Sequence, residues 1–235
     1  MTIDTAKAEA TIREITATLD VDRYRRYADH IRPRTAGDLF RRALFAYASV
    51  HTTWELNVRL YTHIKDYQEW LDDPDKLKDR IIASRAGLYN NRTRYIMDFA
   101  GKFWDHPRWF WKNDVETWMQ YRNRLQVTAL GLGPAKSSFV VEMAYLDTCE
   151  VVCSDTHFYR AYGVPPNKVN KVSDKEEKMM EQHWLNTCQS LSVPSAIVRW
   201  SKWDRLMGYS EPRYWSHVLE GVNYHDVLGG SNGKS

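Results

Sequence analysis

Two short segments of this chain carry residue types that could do chemistry together. The first is Leu130-Gly131-Leu132-Gly133-Pro134-Ala135-Lys136-Ser137-Ser138-Phe139. Two glycines around one apolar residue let the backbone turn sharply, because glycine takes positive φ at no steric cost. Leu130 and Leu132 are expected to anchor the turn in the core. The N–H groups of the turn and of the first residues of the helix behind it have no intrahelical partners, and the helix dipole adds positive potential there. Gly131 and Gly133 thus shape an anion site that suits a phosphate, a contact that positions a nucleic-acid strand without reading its bases. Pro134 fits the first helical turn, and Lys136, Ser137 and Ser138 add one charge and two hydroxyls. The same kind of turn also joins helices in proteins that bind nothing there.

The second segment, Cys153-Ser154-Asp155-Thr156-His157, follows a helix-length interval that includes the apolar run Phe139 to Leu146. It delivers a carboxylate. Asp155 stands just before a stretch, Thr156 to Tyr162, that reads as another helix, so it can serve as an N-cap.

Hairpin and Ser-Asp-Thr-His, in that order, resemble the helix-hairpin-helix DNA glycosylases, enzymes that cut a damaged or modified base from its sugar. The resemblance implies an all-α fold of two helical lobes with a helix-hairpin-helix motif, the hairpin and Asp155 lying at the cleft between them. It implies double-stranded DNA as partner and a nucleotide flipped out of the duplex. Asp155 would then face the sugar. Breaking an N-glycosidic bond builds positive charge on that sugar, which a nearby carboxylate stabilises while orienting or deprotonating water. Capping and catalysis are compatible.

More of the chain follows the pattern, from about Asp38 to Tyr162. The run Leu39 to Thr53 looks like the family's early core helix and the polar turn that ends it. Many members carry a glutamine in that turn that probes the duplex, and His51 stands at about that place here. Asn57 on the next helix fits as well. With His157 beside the aspartate, these are the candidate base-pocket or duplex-probing residues. Gly87 to Ile96 resembles a Gly-aromatic segment that opens another core helix of the family. The paired hairpin and aspartate segment is the most specific of these motifs.

The chain also departs from the family. Bifunctional members place a lysine two residues after the second glycine, where it attacks the sugar and forms a Schiff base. Ala135 holds that position here, and Lys136 comes one residue later, about 100° further round the helix. Lys136 therefore reads as a phosphate contact and the enzyme as monofunctional, using water and leaving an abasic site. A one-residue bulge in the hairpin would restore Lys136 as the nucleophile. Some members hold an iron–sulfur cluster on four cysteines; this chain has only Cys149, Cys153 and Cys188, too few for such a site. No cofactor and no metal are expected, and the thiols read as buried core residues.

Composition frames these readings. The chain has 235 residues, 43% of them hydrophobic, which suits one domain of two lobes over residues 1–228. The hairpin and catalytic segment fall at about 115–162, and residues 229–235 are a flexible tail by composition. No apolar stretch is long enough to span a bilayer, and the polar start lacks a signal-peptide core. Three cysteines make no disulfide framework, so the expected setting is reducing, cytoplasmic or nucleoid-associated, and the expected state a monomer. The net charge is only +3, so distribution matters more than the sum. Arg122 and Arg124, just before the hairpin, join Lys136 as candidate phosphate contacts.

The periodicity is helical almost throughout, over Thr5–Leu19, Val21–Ile31, Ala36–Val50, Trp54–Tyr67, Leu88–Phe103, Val115–Leu125, Ala135–Leu146, Asp155–Tyr162, Asp174–Leu191 and Ser195–Met207. Asp174 is expected to cap the penultimate helix. Most of the ten tryptophans and fourteen tyrosines belong to the core, those of the aromatic-basic patch Trp200-Ser201-Lys202-Trp203-Asp204-Arg205 among them. Three functions fit: a glycosylase, a base-hypermodification enzyme on the same scaffold, and a non-catalytic hairpin module that binds DNA with Asp155 as a cap.

Overall fold

A computed structural model of the chain describes residues 3–206 and residue 208; the expected tail at 229–235, the end of the domain at 228 and the last residue of the final expected helix, Met207, lie outside the described residues. Among the described residues the regular structure is helical, with no strand. The helices are α1 (Thr5–Ala17), α2 (Val21–Ile31), α3 (Ala36–Ala48), α4 (Trp54–Ile64), α5 (Pro74–Ala83), α6 (Tyr89–Asp105), α7 (Trp118–Thr128), α8 (Pro134–Ala144), α9 (Thr156–Ala161), α10 (Asp174–Ser190) and α11 (Ser195–Leu206).

Side-chain caps set many of the starts. Thr35, Thr117 and Ser173 each form a reciprocal capping box, with Asp38, Gln120 and Glu176 respectively, satisfying two orphan N–H groups at a time. Ser173, not Asp174, is therefore the cap of α10: its hydroxyl reaches the N–H of Glu176, and Asp174 becomes the first helical residue, where its charge faces the dipole. α7 starts later than expected because residues 113–116 are drawn into a turn by Asn113, whose Oδ1 accepts the N–H groups of Val115 and Glu116. One helix, α5, escapes the sequence reading. Its opening, Asp72-Asp73-Pro74-Asp75-Lys76, looks like a loop. Yet Pro74 sits in the first turn and Asp73 accepts the Lys76 N–H at 2.9 Å. Leu77 and Ile81, one helical turn apart, bury the inner face.

The chain divides into two compact units. One takes the stretch up to Arg32 and the described stretch from Val141 onward; the other takes Pro33–Val140. In the first, α1 packs on α9, α10 and α11. Ala8, Ile12 and Ile15, on one stripe of α1, meet Phe158, Tyr162, Trp184 and Val198 in its core. In the second, α3 packs on α4 and α6, and α5 on α4 and α6. Its interior is aromatic. Phe40 has Tyr67, Phe103 and Trp104 within 4.9 to 5.4 Å of its ring centre, and it stacks on Phe99 at 5.5 Å. Such offset and edge-on pairs add to the area that the rings bury.

Candidate functional site

The hairpin lies in the Pro33–Val140 unit, between α7 and the start of α8. The Ala129 N–H closes α7 on Leu125 O at 2.8 Å, the Leu132 N–H returns to Ala129 O at 3.1 Å, and the Ser137 N–H opens α8 on Gly133 O at 3.0 Å. Gly131 carries the turn with φ +89°, and a Cβ added there would lie 2.4 Å from Tyr95 Cδ2. Glycine is thus required twice, by backbone conformation and by the ring against it. Gly133 needs no positive φ and has open space around it. The Tyr47 hydroxyl donates to Leu130 O at 2.9 Å. Leu132 is buried, but Leu130 is 47% exposed, so only one of the two leucines expected to anchor the turn does so. The Leu130 carbonyl, not its side chain, ties the turn down.

The polar residues around the turn divide into outward and inward. Lys136 is half-buried, its Nζ 5.8 Å from the Phe139 ring centre one turn along. Ser137 and Ser138 are fully buried. The Ser137 hydroxyl has no hydrogen-bond partner, and Ser138 Oγ accepts from Arg122 Nη1 at 3.4 Å. Arg122 is itself buried and also reaches Met119 Sδ. Arg124 is fixed by Glu116, at 3.0 Å and 2.5 Å, and by the carbonyls of Trp109 and Trp111. Burial disfavours the Glu116 charge, but Arg124 and the Asn113 N–H hold its carboxyl below the usual range. Both arginines therefore brace the approach to the hairpin from within. His51 is exposed with φ +51° beyond the end of α3. Asn57 is buried on α4, and its Oδ1 has no partner.

Asp155 lies in the other unit. Its backbone is extended (φ −84°, ψ 176°), and its Oδ1 accepts the Phe158 N–H at 2.8 Å, so it caps α9. Its Oδ2 accepts from Arg199 Nη1 at 3.2 Å. The side chain remains 25% exposed while that of Arg199 is 6% exposed. Behind this pair stands Glu142, fully buried on α8. Its two oxygens accept Arg199 Nε at 2.8 and 2.9 Å, Arg199 Nη2, Trp200 Nε1 at 3.0 Å and the Cys153 N–H at 2.8 Å. Glu181 accepts the neighbouring Val152 N–H at 2.9 Å. Two carboxylates thus fix the peptide that leads into Asp155. Burial works against the Arg199 charge, but Glu142, Cys153 and Asp155 overcome it and raise its pKa.

Two further titratable groups lie by Asp155. The His157 ring is held below its usual pKa by burial, against the pull of Asp155, and its Nδ1 has no hydrogen-bond partner. Lys202 on α11 donates from Nζ to His157 O at 2.5 Å. Burial lowers its pKa to about 8; Asp155 opposes that shift, while Arg199, Lys7 and Arg160 reinforce it. Sequence reasoning does not single out Glu142 or Arg199, and it meets Lys202 only as one member of an aromatic-basic patch. The first two do leave a signal, as lone charges within the apolar runs Phe139-Val140-Val141-Glu142-Met143-Ala144 and Ala196-Ile197-Val198-Arg199-Trp200.

Among the described residues no three His, Cys, Asp or Glu side chains gather into a metal-binding group, and the three cysteines are buried and free. No described helix is long and apolar enough to cross a membrane.

Two helices joined by a glycine hairpin, followed by an aspartate capping the next helix, with all regular structure among the described residues helical, are the marks of the helix-hairpin-helix DNA glycosylase fold. Comparison with solved structures bears this out. The chain is similar to the structure of a Methanocaldococcus jannaschii 8-oxoguanine glycosylase/lyase in complex with 15mer DNA containing 8-oxoguanine, with a TM-score of 0.66 at 15% identity, covering 86% of this chain and 98% of that one. It is similar also to the structure of the Methanocaldococcus jannaschii 8-oxoguanine DNA glycosylase, with a TM-score of 0.63 at 16% identity, covering 87% and 94%. No protein-family model and no curated protein matches the sequence.

Proposed function

We propose that the protein is a DNA glycosylase that flips a damaged or modified base from a duplex and breaks its N-glycosidic bond. The observation that carries this is Asp155. One oxygen caps α9, the other faces a buried arginine, and the side chain still reaches the surface while the groups fixing it are enclosed. A carboxylate held this way needs little reorganisation when positive charge grows on a sugar beside it.

The hairpin's part is to hold the strand. Gly131, Gly133 and Lys136 offer a turn, open backbone and one cation for a phosphate. Behind the turn Arg122 and Ser138 tie α7 to α8, the Ser137 N–H closes on Gly133 O, and Arg124 anchors α7 to the segment before it. His51, exposed at the end of α3, is the residue suited to probe the duplex. The fold neighbours supply the first substrate to try, since both are described as 8-oxoguanine glycosylases. Ala135 stands where the bifunctional pattern has its lysine, so the excision step is assigned to water oriented by Asp155, with an abasic site as product.

The test is release of base from labelled duplexes carrying 8-oxoguanine, alkylated purines, uracil or hypermodified bases, read as strand scission after hot alkali, beside the Asp155→Asn protein. Alkali-sensitive sites that vanish in the variant support the proposal. Tight duplex binding without base release from any of them would instead favour a hairpin module that only binds DNA.

A further inference from the structure

Lys202 is a second chemical group at the same place. It projects from α11 one helical turn after Arg199, and the two cations address the start of α9 together: Arg199 reaches the Asp155 carboxylate and Lys202 the His157 carbonyl two residues on. The lysine is half-buried, and its amine makes this one hydrogen bond, to a neutral acceptor. Three cations, Arg199, Lys7 and Arg160, act on it against the single carboxylate of Asp155. Desolvation and cationic neighbours are what convert a lysine from a surface charge into a nucleophile. The pKa of about 8 agrees with that environment.

We propose that Lys202 gives this protein a lyase activity on abasic sites, its amine supplying the nucleophile that the hairpin, with Ala135, lacks. The proposal rests on the glycosylase reading for its substrate, an abasic deoxyribose in duplex DNA. The neutral amine adds to the C1′ aldehyde of the opened sugar, and uptake of one proton from solvent with loss of one water leaves a protonated imine, a proton released again when the imine is hydrolysed. A C2′ proton passes to Asp155, the C2′–H electron pair forms the C2′=C3′ bond, and the C3′–O bond breaks with the 3′ phosphate as leaving group. Water then hydrolyses the imine, returning Lys202 and an unsaturated aldehyde on the upstream fragment, and Asp155 gives its proton back to solvent. No oxidant or reductant enters.

The experiment uses the full-length protein and a duplex in which the abasic site is already made, so that base recognition plays no part. Borohydride is added to reduce any imine, and the cross-linked peptide is identified by mass spectrometry. We expect a trapped complex with the adduct on Lys202. Its rate of formation should rise with pH through about 8, since the neutral amine is the reactant. We expect trapping to be lost in Lys202→Arg, which keeps the cation but forms no stable imine, at protein concentrations that saturate the duplex. An adduct on Lys136 or any other residue, or no adduct from a protein that binds the duplex, overturns the proposal. Base release on lesion duplexes, assayed separately, reports on the glycosylase reading: excision without trapping sinks the lyase alone, and trapping without excision leaves the lyase standing and sinks the reading it was built on.

Discussion

The two units solve the problem of a stable interior differently. The Pro33–Val140 unit is filled with rings, Phe40, Phe99, Phe103, Trp104 and Phe110 packed together, and its candidate phosphate turn is shaped by a steric fit, Gly131 against Tyr95. The other unit has an apolar core too, but at its candidate catalytic residue it encloses an ion pair: Glu142 and Arg199 are both buried, and Asp155 is their outlet to the surface. A turn that offers backbone N–H groups to a phosphate needs only the right backbone, and packing supplies that. A carboxylate that must stay in place beside developing charge needs fixed partners. Desolvating an ion pair costs free energy even when its geometry is good, so such a network is a poor choice for stability alone and suits a site that does chemistry.

The largest effect should come from the residue at the end of that network. Asp155→Asn keeps an oxygen to accept the Phe158 N–H but loses the charge. Single-turnover excision should fall about 10²–10⁴-fold, with duplex affinity little changed. A fall in binding equal to the fall in rate would mean that Asp155 only holds the fold. Next comes Glu142→Gln, which leaves the buried Arg199 guanidinium without its carboxylate. Denaturant unfolding should show a loss of about 3–5 kcal/mol. A loss below about 1 kcal/mol would mean that water reaches Arg199 and the network is not closed.

The same contrast governs what is legible in the sequence. Most helices are legible because their stripes repeat, as with Ala8, Ile12 and Ile15 on α1. The hairpin and Asp155 are legible because a glycine pair and a Ser-Asp-Thr-His segment are local. α5 is not, since two buried residues, Leu77 and Ile81, are too few to show a period and its start is a run of polar residues around a proline. The role argued for Lys202 is not legible either. Its setting comes from Lys7, Arg160 and Arg199, which lie on three different helices, and no spacing along the chain expresses that. Arg122 and Ser138 show the reverse limit: their types suit a phosphate, but burial turns them to each other.

On the aromatic side the sharpest variant is Gly131→Ala. The substitution asks alanine to adopt φ +89° with its methyl against the Tyr95 ring. Stability should fall by about 1–3 kcal/mol, and DNA binding should weaken as the turn shifts. Pairing it with Tyr95→Ala separates the two causes. If the ring is the main obstacle, adding Gly131→Ala to Tyr95→Ala costs little further stability; if backbone strain dominates, it costs nearly as much as it does alone.

The effect that is smallest per step of the measurement concerns another buried acid of the charged unit, and its sign is fixed by linkage. Asp204 accepts the Tyr24 hydroxyl at 2.7 Å. Burial pushes its pKa up to about 7, with Tyr24 and Arg199 opposing. Between about pH 4, where the carboxyl titrates in an unfolded chain, and about 7, the folded protein holds a proton that the unfolded chain has released. Asp204 therefore contributes stability that is fully present below that window and is lost as pH rises through 7. Asp204→Asn keeps an acceptor for Tyr24 and has no proton to lose. Its stability relative to the parent should rise across the window, by about 1 kcal/mol for a step of about one pH unit inside it, and comparing the two proteins cancels every titration they share. A difference that stays flat with pH would mean that Asp204 keeps its charge on folding, and that the unit tolerates a further buried carboxylate beside Glu142 and Glu181 without neutralising it.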